Sequence, residues 1–390
     1  MNQLSKKLIY ILNSYSSTES SHFHHVLGLL EALAKRDIEI VLVIEKAETI
    51  PIFSNTNIRV IAIKNHRGIR RYIELFQVVS KLIQEGFTRT FVRIAAPAAL
   101  TAALAHYLHG GAVFFWQSGT TIEYDAAQPW NIKKMKWFFG SLIPNFLARR
   151  YVQYFVTGPA YMVDYYHRVG GVKKEKIRLL YNDIDITRFT PPDNCATQKT
   201  AFLATHGYSP DTLILLLVHR LSPVRRTQLY FPSCLQYLRD NGLLNQVLVV
   251  VAGTGGELPA IQVDVSALSI EKHCLFLGSV PNREIQQLYA IADIFLHPTY
   301  NEGFPRVVLE AMAASLPIVS TDAGGTRELM GELQSAFVVS RDEPLEFFKN
   351  LAELVRHAPL RQQLATENRA YVERFSTIKI AKMYDEVLFK

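Results

Sequence analysis

The sequence predicts an α/β protein of two domains, each built on a parallel sheet covered by helices. Short runs of β-branched and aliphatic residues alternate with helix-length amphipathic segments along most of the chain, as in sheets packed between helices. A chain of 390 residues is longer than a single hydrophobic core ordinarily supports, and its length suits two domains. A polar, proline-containing stretch without periodicity, residues 190–200, lies between the two halves and predicts a linker.

In the first half, strands are expected at residues 7–13, 38–44, 58–63, 90–94, 112–116 and 177–181. The first run follows two lysines, but its uninterrupted apolar part, Leu8 to Leu12, is too short for a signal-peptide core. The alanine-rich stretch IAAPAALTAALAHYL is interrupted by Pro97 and falls short of the roughly 20 residues that a membrane helix requires. We therefore expect no transmembrane segment.

In the second half, strands are expected at residues 213–219, 246–251, 274–278, 294–297, 317–321 and 336–339. Two Rossmann-like sheets follow from the alternation of these strands with helices. The last segment has apolar residues at helical spacing after the second sheet is complete, so we expect it to pack back on the first domain. The predicted divisions are a first domain at 1–189, a linker at 190–200, a second domain at 201–370 and a terminal helix at 371–390.

Charge and cysteine content limit the choice of partner and compartment. The formal net charge is +7, which attracts an acidic membrane surface, a phosphate-bearing substrate or nucleic acid. Nucleic acid is disfavoured because no recognised nucleic-acid motif accompanies the basic residues. Three widely separated cysteines without a CxxC spacing favour reduced thiols, so a cytoplasmic location is expected.

Residues 131–155 combine lysines and arginines with Trp137, Phe138 and Phe139. Such mixing suits an interfacial helix that lies on anionic lipid, which would make the protein peripheral on the inner face of the cell membrane. A core helix with cationic ends explains the same composition equally well, because composition does not reveal which face is exposed.

Cations and glycines follow the strands of the second domain, at the edge of a parallel sheet where ligands bind. Arg220, Arg225 and Arg226 follow the first of these strands and suit a multiply charged anion, although a solvated basic face is the alternative. The loops at 253–257 and 323–326 are rich in glycine, which suits either close approach to a ligand or a tight turn with positive φ.

The stretch NEGFPRVVLE, residues 301–310, places charges at a helix start. If the helix begins near Pro305, then Val307, Val308, Ala311 and Met312 face the sheet. The positive charge of Arg306 in the first turn interacts unfavourably with the helix dipole, at a cost of roughly 0.3–1 kcal/mol. An anionic ligand at the helix N-terminus would remove this cost. Glu302 would then accept hydrogen bonds from a polyhydroxyl group. A sugar attached to a diphosphate satisfies these requirements.

The stretch HPTYNEGFPRVVLEAMAASLPIVSTDAGGTREL resembles the signature of retaining glycosyltransferases of family 4, which have the GT-B fold. Its E-x7-E pair is Glu302 and Glu310. VHRLSPVRR resembles the G-R-L-x-x-x-K stretch of that family, LLYNDIDITRF its hinge segment, and RFSTIKIAKMYDEVL its closing helix. The resemblance implies two Rossmann-like domains that face a cleft, with the terminal helix crossing back to the first domain.

The resemblance also implies roles for individual residues. The donor would be a nucleotide-sugar of UDP or GDP type, held without a metal and without a further cofactor. Glu302 would hold the sugar with the amides of Gly303 and Phe304, and Glu310 the ribose. Arg220 and Arg225 would contact the diphosphate, with Arg226 as an alternative to Arg225. The amides of Arg306 and Val307 would also contact the diphosphate. The base would be bordered by Gly278, Ser279 and Val280.

The acceptor side is less defined, because two features of the family pattern are missing from the first domain. Hydroxyls and histidines, including His22, stand where a glycine-rich loop is usual. Gln117 or Ser118 stands where many members have a histidine, and Glu123 is a nearby carboxylate that could bind or deprotonate a hydroxyl. A saccharide or lipid-linked acceptor is expected. These departures keep open a non-catalytic subunit that binds nucleotide-sugar or a partner enzyme, and a nucleotide-sugar epimerase is a further alternative.

Overall fold

The computed structural model describes residues 6–16, 24–119, 135 and 138–390. The chain divides into two compact units. Unit 1 comprises residues 1–183 and 377–390, and unit 2 comprises residues 184–376. None of the helices among the described residues combines the length and the hydropathy that a membrane-spanning helix requires.

Unit 1 contains a parallel sheet of seven strands in the order β3-β2-β1-β4-β5-β6-β7. The strands are β1 Lys6–Leu12, β2 Ile38–Ile44, β3 Ile58–Ala62, β4 Arg89–Arg93, β5 Ala112–Trp116, β6 Tyr154–Thr157 and β7 Ile177–Leu179. The inner strands are aliphatic or aromatic almost throughout because helices cover both faces of the sheet. The order reverses between β1 and β4, which is the switch point of a Rossmann-like sheet.

The helices of unit 1 include one from the end of the chain. They are α1 His24–Ala34, α2 Gly68–Gln84, α3 Ala96–His109, α4 Ile143–Tyr151, α5 Ala160–Arg168 and, after unit 2, a helix at Thr377–Phe389. This last helix packs against α1, and its Asp385 forms ion pairs with Lys6 at 2.5 Å and Arg36 at 2.9 Å. The predicted return of the terminal helix to the first domain is thus confirmed.

Unit 2 contains a parallel sheet of six strands in the order β10-β9-β8-β11-β12-β13. The strands are β8 Leu213–Val218, β9 Val247–Ala252, β10 Cys274–Gly278, β11 Ile294–His297, β12 Ile318–Thr321 and β13 Val338–Val339. The helices, numbered along the chain so that the terminal helix is α15, are α6 Ile186–Phe189, α7 Cys195–Thr205, α8 Phe231–Asp240, α9 Leu258–Ala267, α10 Ile285–Ile291, α11 Arg306–Ala313, α12 Glu332–Ser335, α13 Pro344–Arg356 and α14 Ala358–Tyr371. The predicted fold class is confirmed by these two Rossmann-like sheets.

The structure differs from the sequence expectation in three places. β6 was not expected as a strand, since its aromatic residues follow directly on the basic helical segment. Residues 190–200 lie inside unit 2, and their second half begins α7, while the chain passes between the units at 183/184 and 376/377. On α11 the buried positions are Val308, Leu309 and 311–313, whereas Val307 is half-buried.

Candidate functional site

The candidate site lies at the carboxyl edge of the unit 2 sheet, where the strand order reverses between β8 and β11. Loops that follow two neighbouring strands diverge at such a point and leave a crevice, which is the usual ligand position in open parallel sheets. His219 follows β8 directly, and His297 is the last residue of β11. The segments 220–226 and 298–305, which the sequence singled out, follow these two residues.

Glycines allow the loop after β8 to pack directly on the loop after β9. A Cβ atom at Gly253 would lie 1.8 Å from the His219 carbonyl oxygen, and one at Gly255 would lie 1.9 Å from that of Leu221. Leu221 N–H also donates to the Thr254 carbonyl at 3.0 Å. Gly253 and Gly255 are therefore required for the close packing of these two loops.

A second close approach fixes the loop that carries Glu302. Gly324, at φ 65°, would place a Cβ atom 2.1 Å from the Glu302 carbonyl oxygen. Only a glycine fits this left-handed conformation and this spacing together. The AGGT loop thus positions the backbone of Glu302, and the helical turn that follows it, Thr326–Leu329, is a short 3₁₀ segment.

Glu302 and Arg225 form an ion pair at the switch point. Their side chains are only 11% and 25% exposed, so solvent screens the pair incompletely. The Glu302 carboxylate also accepts the Gly303 N–H at 3.1 Å. Two further bonds hold the two loops together, from Tyr300 N–H to the Arg225 carbonyl at 2.7 Å and from the Asn301 side chain to the Val224 carbonyl at 3.1 Å.

The three arginines after β8 have different surroundings. Arg225 reaches Glu302, whereas the Arg226 guanidinium lies 4.4 Å from the centroid of the Tyr300 ring, which the Arg341 guanidinium also contacts at 4.7 Å. Arg220 is exposed at the edge of the sheet. The structure therefore distinguishes Arg225 from Arg226, which the sequence leaves as alternatives, because the Arg225 guanidinium pairs with the Glu302 carboxylate whereas that of Arg226 lies over the Tyr300 ring.

Two buried histidines that no sequence motif indicates, His219 and His297, lie next to this ion pair. The His219 and His297 rings are 5.5 Å apart, with Arg225 Nη1 3.3 Å from His219 Nδ1 and Glu302 Oε2 4.0 Å from His297 Nε2. Burial, and then the Arg225 charge, lower the pKa of His297 to about 3 and that of His219 well below its usual value. Both imidazoles are consequently neutral near pH 7. A polar residue ending each apolar strand is the signal that could have identified them.

Helix α11 begins beside this cluster with Pro305 as its N-cap. The Arg306 N–H donates to the Phe304 carbonyl at 2.9 Å, so an anion that took this donor would displace that bond. Glu310 lies one turn later and accepts a 3.0 Å hydrogen bond from the fully buried Tyr289 hydroxyl. Tyr289 therefore fixes the orientation of Glu310, a role that no sequence motif suggested.

The remaining residues that the sequence predicts on the donor side lie at the same edge. β10 ends at Gly278, whose carbonyl accepts the Gly253 N–H at 2.7 Å, and Ser279 and Val280 follow directly. Ser279 is exposed, and the other two are half-buried. The sheet thus places these three residues two strands from β8, on the rim that carries Glu302.

On unit 1, two of the residues expected on the acceptor side, Gln117 and Ser118, directly follow β5. The Gln117 side chain donates to Asn145 at 3.0 Å and accepts from Arg149 at 3.0 Å, and the Ser118 hydroxyl donates to the Gly158 carbonyl at 3.1 Å. The other two predicted residues, His22 and Glu123, lie outside the described part of the chain. Within that part, no group of three or more His, Cys, Asp or Glu side chains could hold a metal ion.

Comparison with known proteins confirms the resemblance to glycosyltransferases. Residues 199–371 match the family model described as "Glycosyl transferases group 1". A curated relative from Corynebacterium jeikeium, named D-inositol 3-phosphate glycosyltransferase, is 29% identical over 220 residues, which are 54% of this chain and 52% of the relative. The matched region thus spans about half the length of such relatives.

Solved structures resemble the chain over nearly its whole length. The Anabaena protein Alr3699/HepE in complex with UDP and glucose has a TM-score of 0.72 at 16% identity, with 98% of this chain and 99% of that chain covered. Sucrose-phosphate synthase from Thermosynechococcus elongatus has a TM-score of 0.76 at 15% identity, with 98% of each chain covered. At these identities the likeness establishes the fold, which is that of GT-B glycosyltransferases.

Proposed function

We propose that this protein transfers a sugar from a nucleotide-diphosphate sugar to a hydroxyl group of a saccharide or lipid-linked acceptor, with retention of configuration and without a metal. The observation that carries the proposal is the ion pair of Glu302 and Arg225 at the switch point of unit 2, directly before α11. The matching family model covers this region, and the Anabaena neighbour was solved with UDP and glucose.

The donor would lie along the carboxyl edge of the unit 2 sheet, with each chemical part facing a different group. The base lies near Gly278 and the ribose hydroxyls at Glu310, whose carboxylate Tyr289 already orients. The diphosphate takes Arg220, Arg225 and the N-terminus of α11, because arginines and a helix dipole both favour anions.

The charges that develop during the reaction suit these residues. As the bond between sugar and diphosphate breaks, negative charge accumulates on the leaving phosphate, and fixed cations in a partly buried site stabilise it. Arg225 then exchanges its contact with Glu302 for one with phosphate, and the Glu302 carboxylate becomes available to the sugar hydroxyls. Glu302 acts as a group that positions the donor. The leaving phosphate oxygen takes the proton of the acceptor on the same face, which gives retention.

Donor hydrolysis and product analysis test the proposal. Wild-type protein incubated with UDP-, GDP- or ADP-sugars should slowly release one nucleotide, and Glu302→Gln or Arg220→Ala should abolish the release. A panel of saccharide and lipid-linked acceptors, followed by NMR of the new linkage, reports the configuration. Donor binding without turnover on any acceptor would instead indicate a non-catalytic subunit. A changed sugar without acceptor would indicate an epimerase.

We also propose that unit 1 docks on an anionic membrane surface through α3 and α4, which pack together. Phe139, Phe146 and Tyr151 are 65%, 61% and 65% exposed around α4, and Tyr107 on α3 is 82% exposed. Exposed aromatic side chains beside cations such as Arg150 favour the interface of anionic lipid.

Vesicle co-sedimentation tests this docking surface. Wild-type protein should sediment with vesicles that contain phosphatidylglycerol and remain free of pure phosphatidylcholine. Phe146→Ser should weaken the sedimentation, whereas Ile378→Ser, at an exposed position of α15, should leave it unchanged. Equal weakening by both substitutions would contradict the assignment of this surface.

A further inference from the structure

One residue of the loop after β9 holds both ends of the loop that carries the three arginines. This arginine loop, residues 220–226, follows β8 and His219. Near its start, the Leu221 carbonyl accepts a hydrogen bond from the Glu257 backbone N–H at 3.1 Å. Directly after its end, the Thr227 N–H donates to Glu257 Oε2 at 3.1 Å. Glu257 therefore fixes the two points between which two adjacent arginines lie.

The Glu257 side chain does not cap its own helix. Glu257 directly precedes α9, and a carboxylate at that position usually accepts N–H groups from the first helical turn. Within the described segment 253–267 it makes no such bond, and it reaches the arginine loop instead. It is 8% exposed, and burial raises the pKa of its carboxyl, an effect that the Thr227 N–H partly offsets. The bond to the arginine loop thus compensates part of the cost of burying this carboxylate.

The peptide group that Glu257 holds follows a residue in a strained conformation. Arg226 has a φ of 52°, which lies in the left-handed region that is unfavourable for residues with a Cβ atom. The Thr227 N–H belongs to the peptide group between Arg226 and Thr227, so its bond to Glu257 maintains the orientation of that group. Such conformations persist only where the surrounding structure fixes them. The Glu257 carboxylate is one of the groups that do so here.

The opposite side of the arginine loop is held by the loop after β11. The Arg225 carbonyl accepts the Tyr300 N–H at 2.7 Å, and the Arg225 guanidinium pairs with Glu302. The arginine loop is therefore fixed between two neighbouring loops, and Glu257 supplies the contact on the β9 side. Without that contact the strained turn could relax, which would move the Arg225 guanidinium away from its place at the switch point.

We propose that Glu257 positions the arginine loop for the diphosphate of the donor, and that it does so as a hydrogen-bond acceptor rather than as a charge. The inference rests on the proposed function in one respect, namely that the arginine loop contacts a diphosphate. Groups that are already in place bind a ligand without a further ordering cost. The nucleoside part of the donor lies at Gly278 and Glu310, so its binding does not depend on Glu257. Because a negative charge near the loop repels a diphosphate, a neutral acceptor serves at least as well.

Isothermal titration of the full-length protein tests the inference. The wild type is titrated with UDP, GDP and ADP, and the nucleotide bound most tightly is then compared with its nucleoside in each variant. Glu257→Ala should bind the diphosphate about tenfold more weakly but the nucleoside equally well, since a hydrogen bond to a charged group no longer holds the loop. Glu257→Gln should bind the diphosphate as tightly as the wild type or more tightly, because its side-chain oxygen still accepts the Thr227 N–H.

The matched control is Glu271→Ala, which should bind both ligands as the wild type does. It removes an exposed carboxylate of the same unit that accepts a 2.6 Å bond from the Ser266 hydroxyl. An unchanged diphosphate affinity in Glu257→Ala, or an equal loss for the nucleoside, would overturn the inference. Equal losses in Glu257→Ala and Glu257→Gln, or in Glu257→Ala and Glu271→Ala, would also overturn it.

A shorter carboxylate keeps the test decisive if Glu257→Ala does not fold. Glu257→Asp retains the charge, but its side chain is one methylene too short to reach the Thr227 N–H in the same way. It should therefore show the same selective loss of diphosphate affinity. Wild-type diphosphate affinity in Glu257→Asp would contradict the inference.

A measurement without ligand separates this inference from the proposed function. Glu257→Ala should reduce the energetic coupling between Arg225 and Glu302 in urea unfolding, whereas Glu257→Gln should retain it. If no nucleotide binds the wild type, the proposed function fails, while a coupling that depends on Glu257 still supports the positioning role. If nucleotides bind and the coupling is independent of Glu257, the inference fails and the proposed function stands.

Discussion

Arg225 and Glu302 should be energetically coupled, and a double-mutant cycle measures the coupling. The substitutions are Arg225→Met, Glu302→Gln and the two together. Exposed ion pairs contribute about 0–1 kcal/mol, and loss of one partner from a fully buried pair costs about 3–5 kcal/mol. With side chains 25% and 11% exposed, this pair lies between these limits, so a coupling free energy of about 1–3 kcal/mol is expected.

Thermal and urea unfolding of the four proteins provide the assay. For a unit of this size, 1 kcal/mol corresponds to about 2–4 °C in the unfolding temperature, so each single variant should show a clear shift. The double variant should lose less free energy of unfolding than the sum of the losses in the two single variants, because the second substitution removes a group whose ion pair is already broken. Additive effects within about 0.3–0.5 kcal/mol would refute the reasoning that the pair is a partly buried interaction.

Three further predictions concern the surroundings of this pair. The pKa of His297 is lowered to about 3 in the folded protein, whereas an unfolded chain has a histidine pKa of about 6.5. As pH falls below about 6.5, the unfolded state therefore binds a proton that the folded state does not. The free energy of unfolding should fall by about 1.4 kcal/mol per pH unit from this residue alone. His297→Gln should reduce that slope between pH 6 and 5 in urea unfolding, and an unchanged slope would contradict the assignment. Gly255→Ala should lower the free energy of unfolding by about 2 kcal/mol or more in the same assay. Gly256→Ala should be tolerated, because a Cβ atom there would lie 3.7 Å from its nearest neighbour, Pro223 Cδ. Equal effects of the two substitutions would exclude backbone crowding as the cause. Tyr289→Phe should raise the donor KM about fivefold with little change in kcat, because Glu310 loses its orienting bond, and a kcat effect alone would argue against a donor role.

Apart from β6, the described strands and the residues that follow them could be predicted from the sequence because parallel strands are continuous apolar runs ended by polar residues. Glu302 and Arg225 were identified 77 positions apart, and the structure brings them into contact. Their contact follows from topology, since neighbouring strands of a Rossmann-like sheet end at one edge. A glycine-rich loop, in contrast, suits a turn or a ligand equally, and the carbonyl oxygens that Gly253 and Gly324 approach closely belong to distant residues that local sequence does not indicate.

Long-range packing explains what the sequence did not reveal. Tyr289 lies in an ordinary amphipathic helix, and nothing local indicates that its hydroxyl reaches Glu310. His219 and His297 end apolar strands, and only their mutual position shows them to be buried and neutral. Arg149 and Arg150 are adjacent cations, of which the first is buried and the second is exposed. The sequence does not show which of the two is buried, because tertiary contacts decide which face of the helix packs inward.

The central claim is that the carboxyl edge of the unit 2 sheet binds a nucleotide-diphosphate sugar. Isothermal titration of the wild type and Arg220→Ala with UDP-, GDP- and ADP-sugars tests it most directly, since Arg220 is exposed and its replacement should leave the fold intact. The account predicts saturable binding of one nucleotide-sugar that Arg220→Ala weakens about tenfold or more. Absence of binding by every nucleotide-sugar, or equal affinity of the two proteins, would contradict it.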